Sequence, residues 1–414
     1  MISWKETISR REFFKRFAMG MAVALPLSFG NQPEGASASV NPVFWVTGMP
    51  ELPFGTGDQR NHHAGIDTLL RRMGATGLKF YRSPQETLLS GPAGLIRPAD
   101  VVLIKVNAQW KYRGCTNSDL IRGLIQSIIT HPDGFTGEVV IVENGQGRGS
   151  LNCDTSSSYG GDTSVHANAN NRNHSFVFLV DHIFKDPRVS YYLLDNIRAT
   201  FIDDGEHDTD GYRYYQNVSY PCFTTKGGRR VELAKGIWQG TFRHNLKLIN
   251  VPVLKHHDQG GSEITASLKH FYGLLSMADG QSGYRHYDGL GKTCGKMVVS
   301  VSTPVLNIVD ATWVAYRSIT GYPANTTFRA NQIMASQDPV ALDYCAAKHI
   351  LYPIDKNTRH HPGFEGIARW LRDARDLINR RGGLYSDRDG IQVNQVTLDE
   401  QRMALIRKKC ATFA

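Results

Sequence analysis

The feature that most constrains the fold is an alternation of short, β-branched apolar runs with amphipathic helical patterns. Residues 101–107 predict a buried strand, residues 119–129 carry apolar side chains at helical spacing, and residues 139–143 predict a second strand. Because a strand, helix and strand in succession form a right-handed crossover, the two strands are expected to be parallel. The sequence therefore predicts an α/β fold with a mostly parallel sheet and flanking helices.

The alternation resumes after a long polar segment. Residues 144–173 are rich in Gly, Ser and Asn and predict a long polar insertion, either a surface insertion or a loop that covers the site. Residues 246–254 predict a third buried strand, and residues 263–275 predict a helix with Ser262 as its N-cap. The other predicted elements are a hairpin at 212–233, strands at 305–309 and 331–335, a helix from Asp338 to about Leu351, and a docking helix at 366–381.

The first 38 residues carry the three ordered parts of an export signal. Arg10 and Arg11 match the twin-arginine pattern, and the apolar run at 17–29 is too short to span a bilayer. Residues 36–38 read Ala-Ser-Ala, a small-residue cleavage site. We therefore expect the twin-arginine export machinery as a partner and a periplasmic or otherwise exported mature protein. No later window predicts a membrane span.

These patterns divide the chain into four segments. We expect a twin-arginine signal peptide at 1–38 and an N-terminal segment at 39–94 that packs on the core. The α/β domain is expected at 95–352, followed by a C-terminal helical extension at 353–414.

Charge and cysteine content exclude several classes of protein. The net charge of +9 is spread along the chain without a basic stripe, so nucleic acid is not expected as a partner, whereas a small anionic ligand or an anionic membrane surface fits. The six cysteines form no Cys-x-x-Cys pair, which argues against an iron–sulfur cluster or a zinc ribbon. Their disulfide pairing stays open, because six cysteines allow fifteen pairings.

Polar residues stand where the predicted strands end. Lys105 and Asn107 end the first strand, Glu143 ends the second, and Asp310 ends the strand at 305–309. In an open α/β sheet ligands bind at the carboxyl ends of the strands, so these residues are expected to converge on one crevice. Each one alone is equally consistent with a solvated or paired surface group.

The densest polar cluster follows the third predicted strand. Lys255, His256 and His257 precede a predicted helix that carries Thr265 and Lys269. Lysines beside a helix N-terminus suit a phosphate or carboxylate. Alternatively, His256 and His257 could ligate a divalent metal together with Asp310 or Glu143, because imidazole and carboxylate suit zinc, nickel or iron. A polar loop with two exposed histidines is the third interpretation.

Three other motifs have weaker support. Residues 206–211 resemble the start of a calcium loop, but Glu206 and Asn217 depart from the pattern, which favours a solvated acidic loop. The glycines at 145–149 lack the spacing of a dinucleotide fingerprint. A serine hydrolase has no support, because the sequence contains no Gly-x-Ser-x-Gly elbow.

Four ordered motifs resemble the bacterial and archaeal family called domain of unknown function 362. They lie at residues 104–107, 249–257 with Thr265, Lys269 and Gly273 behind them, 308–311 and 335–343. The resemblance implies an α/β domain over about residues 95–352 and, in many members, an accompanying ferredoxin-like module. This sequence lacks the cysteines for that module.

Together these observations predict an enzyme that acts on a small anionic carboxylate or phosphate substrate, with or without a metal. The expected catalytic residues are Lys105, Glu143 and His256, and the expected substrate-binding residues are Asn107, Lys255, Thr265 and Lys269. The expected metal ligands, if a metal binds, are His256, His257 and Asp310. The alternative is a non-catalytic envelope binding or assembly protein associated with a redox system.

Overall fold

A computed structural model describes residues 41–206, 208–238, 242–243, 245–257, 263–388 and 390–398. The predicted signal peptide, Ser262 and Cys410 lie outside the described residues. The described residues pack as one unit, so the described parts of the predicted segments at 39–94 and 353–414 contribute to the same body as residues 95–352.

The chain alternates strands with helices. The strands are β1 Val43–Thr47, β2 Tyr81–Arg82, β3 Ser90–Gly91, β4 Val101–Val106, β5 Glu138–Glu143, β6 Val189–Leu193, β7 Gly211–Tyr215, β8 Val218–Thr224, β9 Arg230–Glu232, β10 Gly236–Trp238, β11 Phe242–Arg243, β12 Leu246–Val251, β13 Val253–His256, β14 Ile264–Thr265, β15 Leu306–Ala315, β16 Phe328–Ser336 and β17 Val393–Thr397. The α-helices are α1 Ala64–Ala75, α2 Ser118–Ile129, α3 Phe176–Phe178, α4 Ser267–Tyr272, α5 Met277–Gly280, α6 Gly283–His286, α7 Leu290–Ser300, α8 Pro339–Ala346, α9 Tyr352–Asp355 and α10 Glu365–Asn379. Two π-helical turns, Leu179–Phe184 and Ala347–Leu351, extend α3 and α8.

A mainly parallel sheet forms the centre of the fold, in the order β17-β1-β16-β15-β12-β4-β5-β6, with β13 and β14 attached beside β15. Strand β4 is buried on both faces: Val101 and Leu103 pack into one apolar layer, and Val102 and Ile104 into the other. This double burial explains why the strand has a continuous apolar sequence. The predicted α/β fold with a mostly parallel sheet is confirmed.

The third predicted strand is interrupted at Pro252. Strand β12 ends at Val251 and β13 begins at Val253, and the carbonyl of Pro252 accepts a hydrogen bond from the backbone N–H of Asp310 (2.8 Å). Proline has no N–H to donate, so the pairing of this strand shifts here. Residues after Pro252 therefore pair with β15 and β14, whereas β12 pairs with β4 and β15.

The predicted helix at 263–275 is wrong at its start. Ile264–Thr265 is a short strand whose Thr265 stands opposite Lys255, and helix α4 begins only at Ser267. The cap is distant in sequence: the carboxylate of Asp343 accepts hydrogen bonds from the N–H groups of Ser267 (2.6 Å) and Leu268 (3.0 Å). Thr265 and Lys269 therefore do not share one helix face.

Asp338 caps α8, as predicted, by accepting hydrogen bonds from the N–H groups of Val340 and Ala341. Helix α10 buries the apolar side of its amphipathic pattern through Ile367 and Trp370 among others, which confirms the predicted docking helix. The C-terminal segment is only partly helical, because β17 pairs in parallel with β1.

A second, five-stranded sheet runs in the order β11-β10-β9-β8-β7. The predicted hairpin forms part of it. In the acidic loop beside it, the carboxylate of Asp210 accepts hydrogen bonds from Arg230 (2.5 Å) and from the hydroxyl of Tyr192 (2.6 Å). Asp210 is therefore paired and partly exposed, whereas Glu206 and Asp208 are exposed, as expected for a solvated acidic loop.

Two further structural facts concern the cysteines and the helices. The described cysteines are all buried, and no disulfide joins any two of them. They are Cys115, Cys153, Cys222, Cys294 and Cys345. Among the helices of the described part of the chain, none is both long and apolar enough to cross a membrane.

Candidate functional site

A cavity of about 530 Å³ lies where the predicted crevice was expected, at the carboxyl ends of β4 and β5 and beside β13. Apart from the histidines and Asp310, every predicted site residue lines this cavity. These six residues are Lys105, Asn107, Glu143, Lys255, Thr265 and Lys269. Among the described lining residues, four side chains are Lys or Arg and Glu143 is the one carboxylate. The cavity therefore favours negatively charged ligands.

A buried network centred on Lys105 forms one wall of the cavity. The Lys105 ammonium, 1% exposed, donates to a carboxylate oxygen of Glu143, to the carbonyl of Val106 (3.0 Å) and to Nε2 of His270 (3.1 Å). An ammonium has three N–H donors, and here each has an acceptor. The geometry therefore fits a protonated Lys105 paired with an ionised Glu143.

The tautomer of His270 follows from the neighbouring amide. The amide nitrogen of Asn250 donates to the carbonyl of Ser267 (2.9 Å) and to Oδ1 of Asn307 (3.0 Å), so its oxygen faces Nδ1 of His270 (2.7 Å). Nδ1 must therefore carry the proton, which leaves Nε2 as the acceptor for Lys105. Burial and the Lys105 charge hold the pKa of His270 well below its usual value, consistent with a neutral ring.

Burial also shifts the two partners of the ion pair toward their neutral forms. It lowers the pKa of Lys105, although the Glu143 carboxylate opposes this shift, and it raises the pKa of Glu143 to about 7, although Lys105 opposes that one. A carboxyl group with a pKa near 7 can accept or release a proton at neutral pH. Glu143 therefore has the properties of a general acid or base.

A second lysine–histidine pair forms another part of the wall. The Lys269 ammonium lies 2.9 Å from Nε2 of His286 and 4.7 Å from the centre of the Tyr272 ring. Burial and the Lys269 charge lower the pKa of His286 to about 4. The ring of His257 lies 5.7 Å from that of His286, and burial likewise holds its pKa well below the usual value. Both histidines are neutral at pH 7.

His256 is not part of the cavity lining, in contrast to the prediction. Successive residues of a strand point to opposite faces, so Lys255 and His257 face the cavity while His256 turns away. Nδ1 of His256 lies 2.9 Å from Nε2 of His360, whose ring approaches Asp355 (3.4 Å). Of these two adjacent histidines His257 is therefore the one at the cavity, and the catalytic role expected for His256 has no geometric support.

Asp310 is also placed differently from the prediction. Its fully buried carboxylate accepts hydrogen bonds from the N–H groups of Asn117 (2.7 Å) and Thr312 (2.9 Å), and so fixes the start of α2 against β15. The described residues contain no group of three or more His, Cys, Asp or Glu side chains placed to hold a metal ion. His256, His257 and Asp310 are thus not brought together as ligands.

Asn107 lines the cavity but also joins two strand ends. Its side-chain oxygen accepts a hydrogen bond from the N–H of Val253 (2.9 Å), just after the break at Pro252. Further along the same strand, Lys255 reaches the carbonyl of Gly114 (3.3 Å). The first contact fixes the start of β13 against the end of β4, and the second fixes β13 against the turn at Tyr112–Gly114.

The sequence analysis missed several lining residues. His270 and His286 supply the acceptors for the two cavity lysines, and Tyr272, Trp110 and Arg148 complete the wall. His270 directly follows Lys269 in the sequence, a local signal that could have been used. Arg148 lies in the predicted polar insertion, where the sequence indicated a covering loop without naming a residue.

Comparison with known proteins gives one match. A family model described as a domain of unknown function (DUF362) matches residues 217–348. This segment holds Lys255, Thr265 and Lys269, whereas Lys105 and Glu143 lie outside it. Searches of curated proteins and of solved structures each found no match. The chain thus resembles the DUF362 family over the part that supplies the β13–α4 side of the cavity.

Proposed function

We propose that the protein is an enzyme that binds a small organic anion in the 530 Å³ cavity and moves a proton on it. The observation that carries this proposal is the joint placement of three buried lysines, Lys105, Lys255 and Lys269, with Glu143 on the wall of one cavity at the strand ends. Burying charged groups is costly, so their concentration in one cleft is typical of functional sites.

The residues take different roles in this proposal. Lys255 and Lys269 bind the negative group of the ligand, because an ammonium in a partly dry cavity attracts an anion more strongly than it does in water. Glu143 exchanges the proton, and its raised pKa of about 7 fits that task. Lys105 positions Glu143 through their hydrogen bond, and His270 in turn positions Lys105, so that other hydrogen-bond donors have less access to the carboxylate.

Anion binding is tested by titrating phosphate, glycerol 3-phosphate and gluconate into the purified protein. Lys255→Met and Lys269→Met remove the charge but keep an unbranched side chain, and each is expected to weaken binding by about 1.5–3 kcal/mol, a factor of ten or more. Lys348→Met is the matched control, because Lys348 lies over the Tyr344 ring, outside the cavity lining. Equal binding by all variants would contradict the proposal.

Proton transfer is tested without knowing the full reaction. Ligands that bind are incubated in D₂O, and exchange of their carbon-bound protons is followed by NMR. The native protein should accelerate exchange on its substrate, and Glu143→Gln should abolish the acceleration while binding persists. Tight binding with no exchange on any bound anion would favour the alternative, a non-catalytic carrier or assembly protein.

We also propose that the protein works outside the cytoplasm. The support is the ordered signal at residues 1–38, with its Arg10-Arg11 pair, apolar run and small-residue cleavage site. Fractionation of cells that produce the full chain, followed by N-terminal sequencing, tests this localisation.

A further inference from the structure

Two buried polar atoms of the cavity lining have no hydrogen-bond partner among the described residues. They are the hydroxyl oxygen of Thr265, whose residue is 3% exposed, and the indole nitrogen of Trp110, whose residue is 7% exposed. Leaving a buried donor unsatisfied costs about 1–3 kcal/mol, and native proteins therefore rarely do so without a reason. A bound ligand that pairs with both atoms would remove this cost.

Both residues lie near Lys255, on the β13 side of the cavity. Thr265 stands directly opposite Lys255 in the β13–β14 pair, so their side chains are neighbours on one face. The Lys255 ammonium reaches the carbonyl of Gly114 (3.3 Å), and Gly114 packs so closely on Trp110 that an added Cβ would lie 2.7 Å from the Trp110 Cβ. Lys255 thus lies close to both residues that carry the unsatisfied atoms.

Arg148 adds a second cation on this side of the cavity. Its guanidinium lies 5.6 Å from the centre of the Trp110 ring. The turn that carries it is fixed, because Asp195 accepts a hydrogen bond from the N–H of Gly147 (2.6 Å) and Gln146 pairs with Gln109 (2.9 Å). Arg148 thus adds positive charge beside Lys255 for the negative group of a ligand, and the uncharged side chains of Thr265 and Trp110 remain for its neutral oxygens.

The size and chemistry of the cavity indicate what the rest of the ligand is like. A volume of about 530 Å³ falls within the range of sites for organic small molecules and exceeds what an inorganic ion needs. The aliphatic side chains of the lining are few, namely Leu275, Met277 and Ile319, and most of the other lining residues carry hydrogen-bonding groups. A lining of this kind suits a polar, hydroxylated body better than a hydrocarbon.

We infer that Thr265 and Trp110 are specificity-determining residues that hydrogen-bond hydroxyl oxygens of the ligand, and that the ligand is a hydroxylated organic anion of the sugar-phosphate or sugar-acid class. This inference rests on the proposed function, because it concerns the same cavity. A site built to hydrogen-bond a hydroxyl group rejects an analogue that lacks it, since the buried partners are then left unpaired.

The test uses ligand pairs of equal charge and similar length that differ in hydroxyl groups: glycerol 3-phosphate against propyl phosphate, and gluconate against hexanoate. The native protein should bind the hydroxylated member of at least one pair about tenfold or more tightly. Thr265→Val keeps the shape of the side chain and removes the hydroxyl group, and Trp110→Phe keeps an aromatic ring but removes the indole N–H together with part of the ring system. Each should reduce that preference severalfold and leave the affinity for the deoxygenated member unchanged.

Four results would overturn the inference. Equal native affinity for both members of each pair would do so, and the proposed anion binding would survive. Equal weakening of both members by the variants would show that Thr265 and Trp110 contact the charged group, and unchanged binding would show that water satisfies them. Failure of all four ligands to bind would overturn the proposed function as well. Urea midpoints close to that of the native protein establish that both variants fold.

Discussion

The Lys105–Glu143 pair should behave as one coupled unit in a double-mutant cycle. The two side chains are 1% and 3% exposed, and the ammonium has three acceptors. Glu143→Gln leaves the buried ammonium opposite a neutral amide, and Lys105→Met leaves a buried carboxylate without its cation. Breaking a buried pair from one side costs about 3–5 kcal/mol, so each single variant should lose that much unfolding free energy.

The double variant, Lys105→Met with Glu143→Gln, has no buried charge left at this position. We therefore expect it to be no less stable than either single variant, which corresponds to a coupling energy of about 3 kcal/mol or more. The assay is urea unfolding at pH 7 followed by tryptophan fluorescence. The matched control is the exposed pair Arg372–Glu365 (3.1 Å), whose coupling should stay below about 1 kcal/mol. If the Lys105 and Glu143 effects add to within about 0.5 kcal/mol, the two groups do not form the ion pair described here.

Three further predictions concern stability and export. Burial raises the folded-state pKa of Asp338 to about 7, so this carboxyl lowers stability as the pH rises from about 4 to about 7, whereas the lowered pKa values of His257, His270 and His286 raise stability over much of the same window; Asp338→Asn, which keeps an acceptor for the helix cap, should therefore make the urea midpoint rise more between pH 5 and pH 7 than it does in the native protein, and an equal or smaller rise would contradict this prediction. Asp343→Ala should cost about 1–2 kcal/mol through loss of the α4 cap, and Asp343→Asn should cost less because an amide oxygen still accepts, whereas Asp288→Ala on the surface serves as control. Changing Arg10 and Arg11 together to Lys should leave the precursor in the cytoplasm, and undiminished export of a mature chain beginning near Ser39 would refute the twin-arginine prediction.

The central sheet was predictable because strands buried on both faces have continuous apolar sequences. Residues 101–106 and 138–143 are such strands, and the rule that ligands bind at the carboxyl ends of parallel strands then led to Lys105, Asn107 and Glu143. The local sequence thus predicts both the strands and the position of the cavity.

The errors arise where position depends on contacts distant in sequence. Pro252 interrupts the strand, so the side of the sheet that each later residue faces cannot be counted from the residues before it. The sequence therefore predicts His256 at the cavity in place of His257. The cap of α4 comes from Asp343, which lies 76 residues from Ser267, and no local pattern indicates it. The sequence indicates a ligand role for Asp310 because it does not reveal the two backbone N–H groups that bind this carboxylate. Only the tertiary fold brings those groups to Asp310.

The most direct test of the central claim, that the cavity binds an organic anion, is to locate an anion in it. Crystals of the full mature chain soaked in tungstate, a heavy mimic of phosphate, would show the anion by its anomalous scattering. We predict a peak within hydrogen-bond distance of Lys255 or Lys269 inside the cavity, and loss of that peak when glycerol 3-phosphate or gluconate is present in excess. Tungstate bound elsewhere on the protein, with the cavity empty of it, would contradict the account.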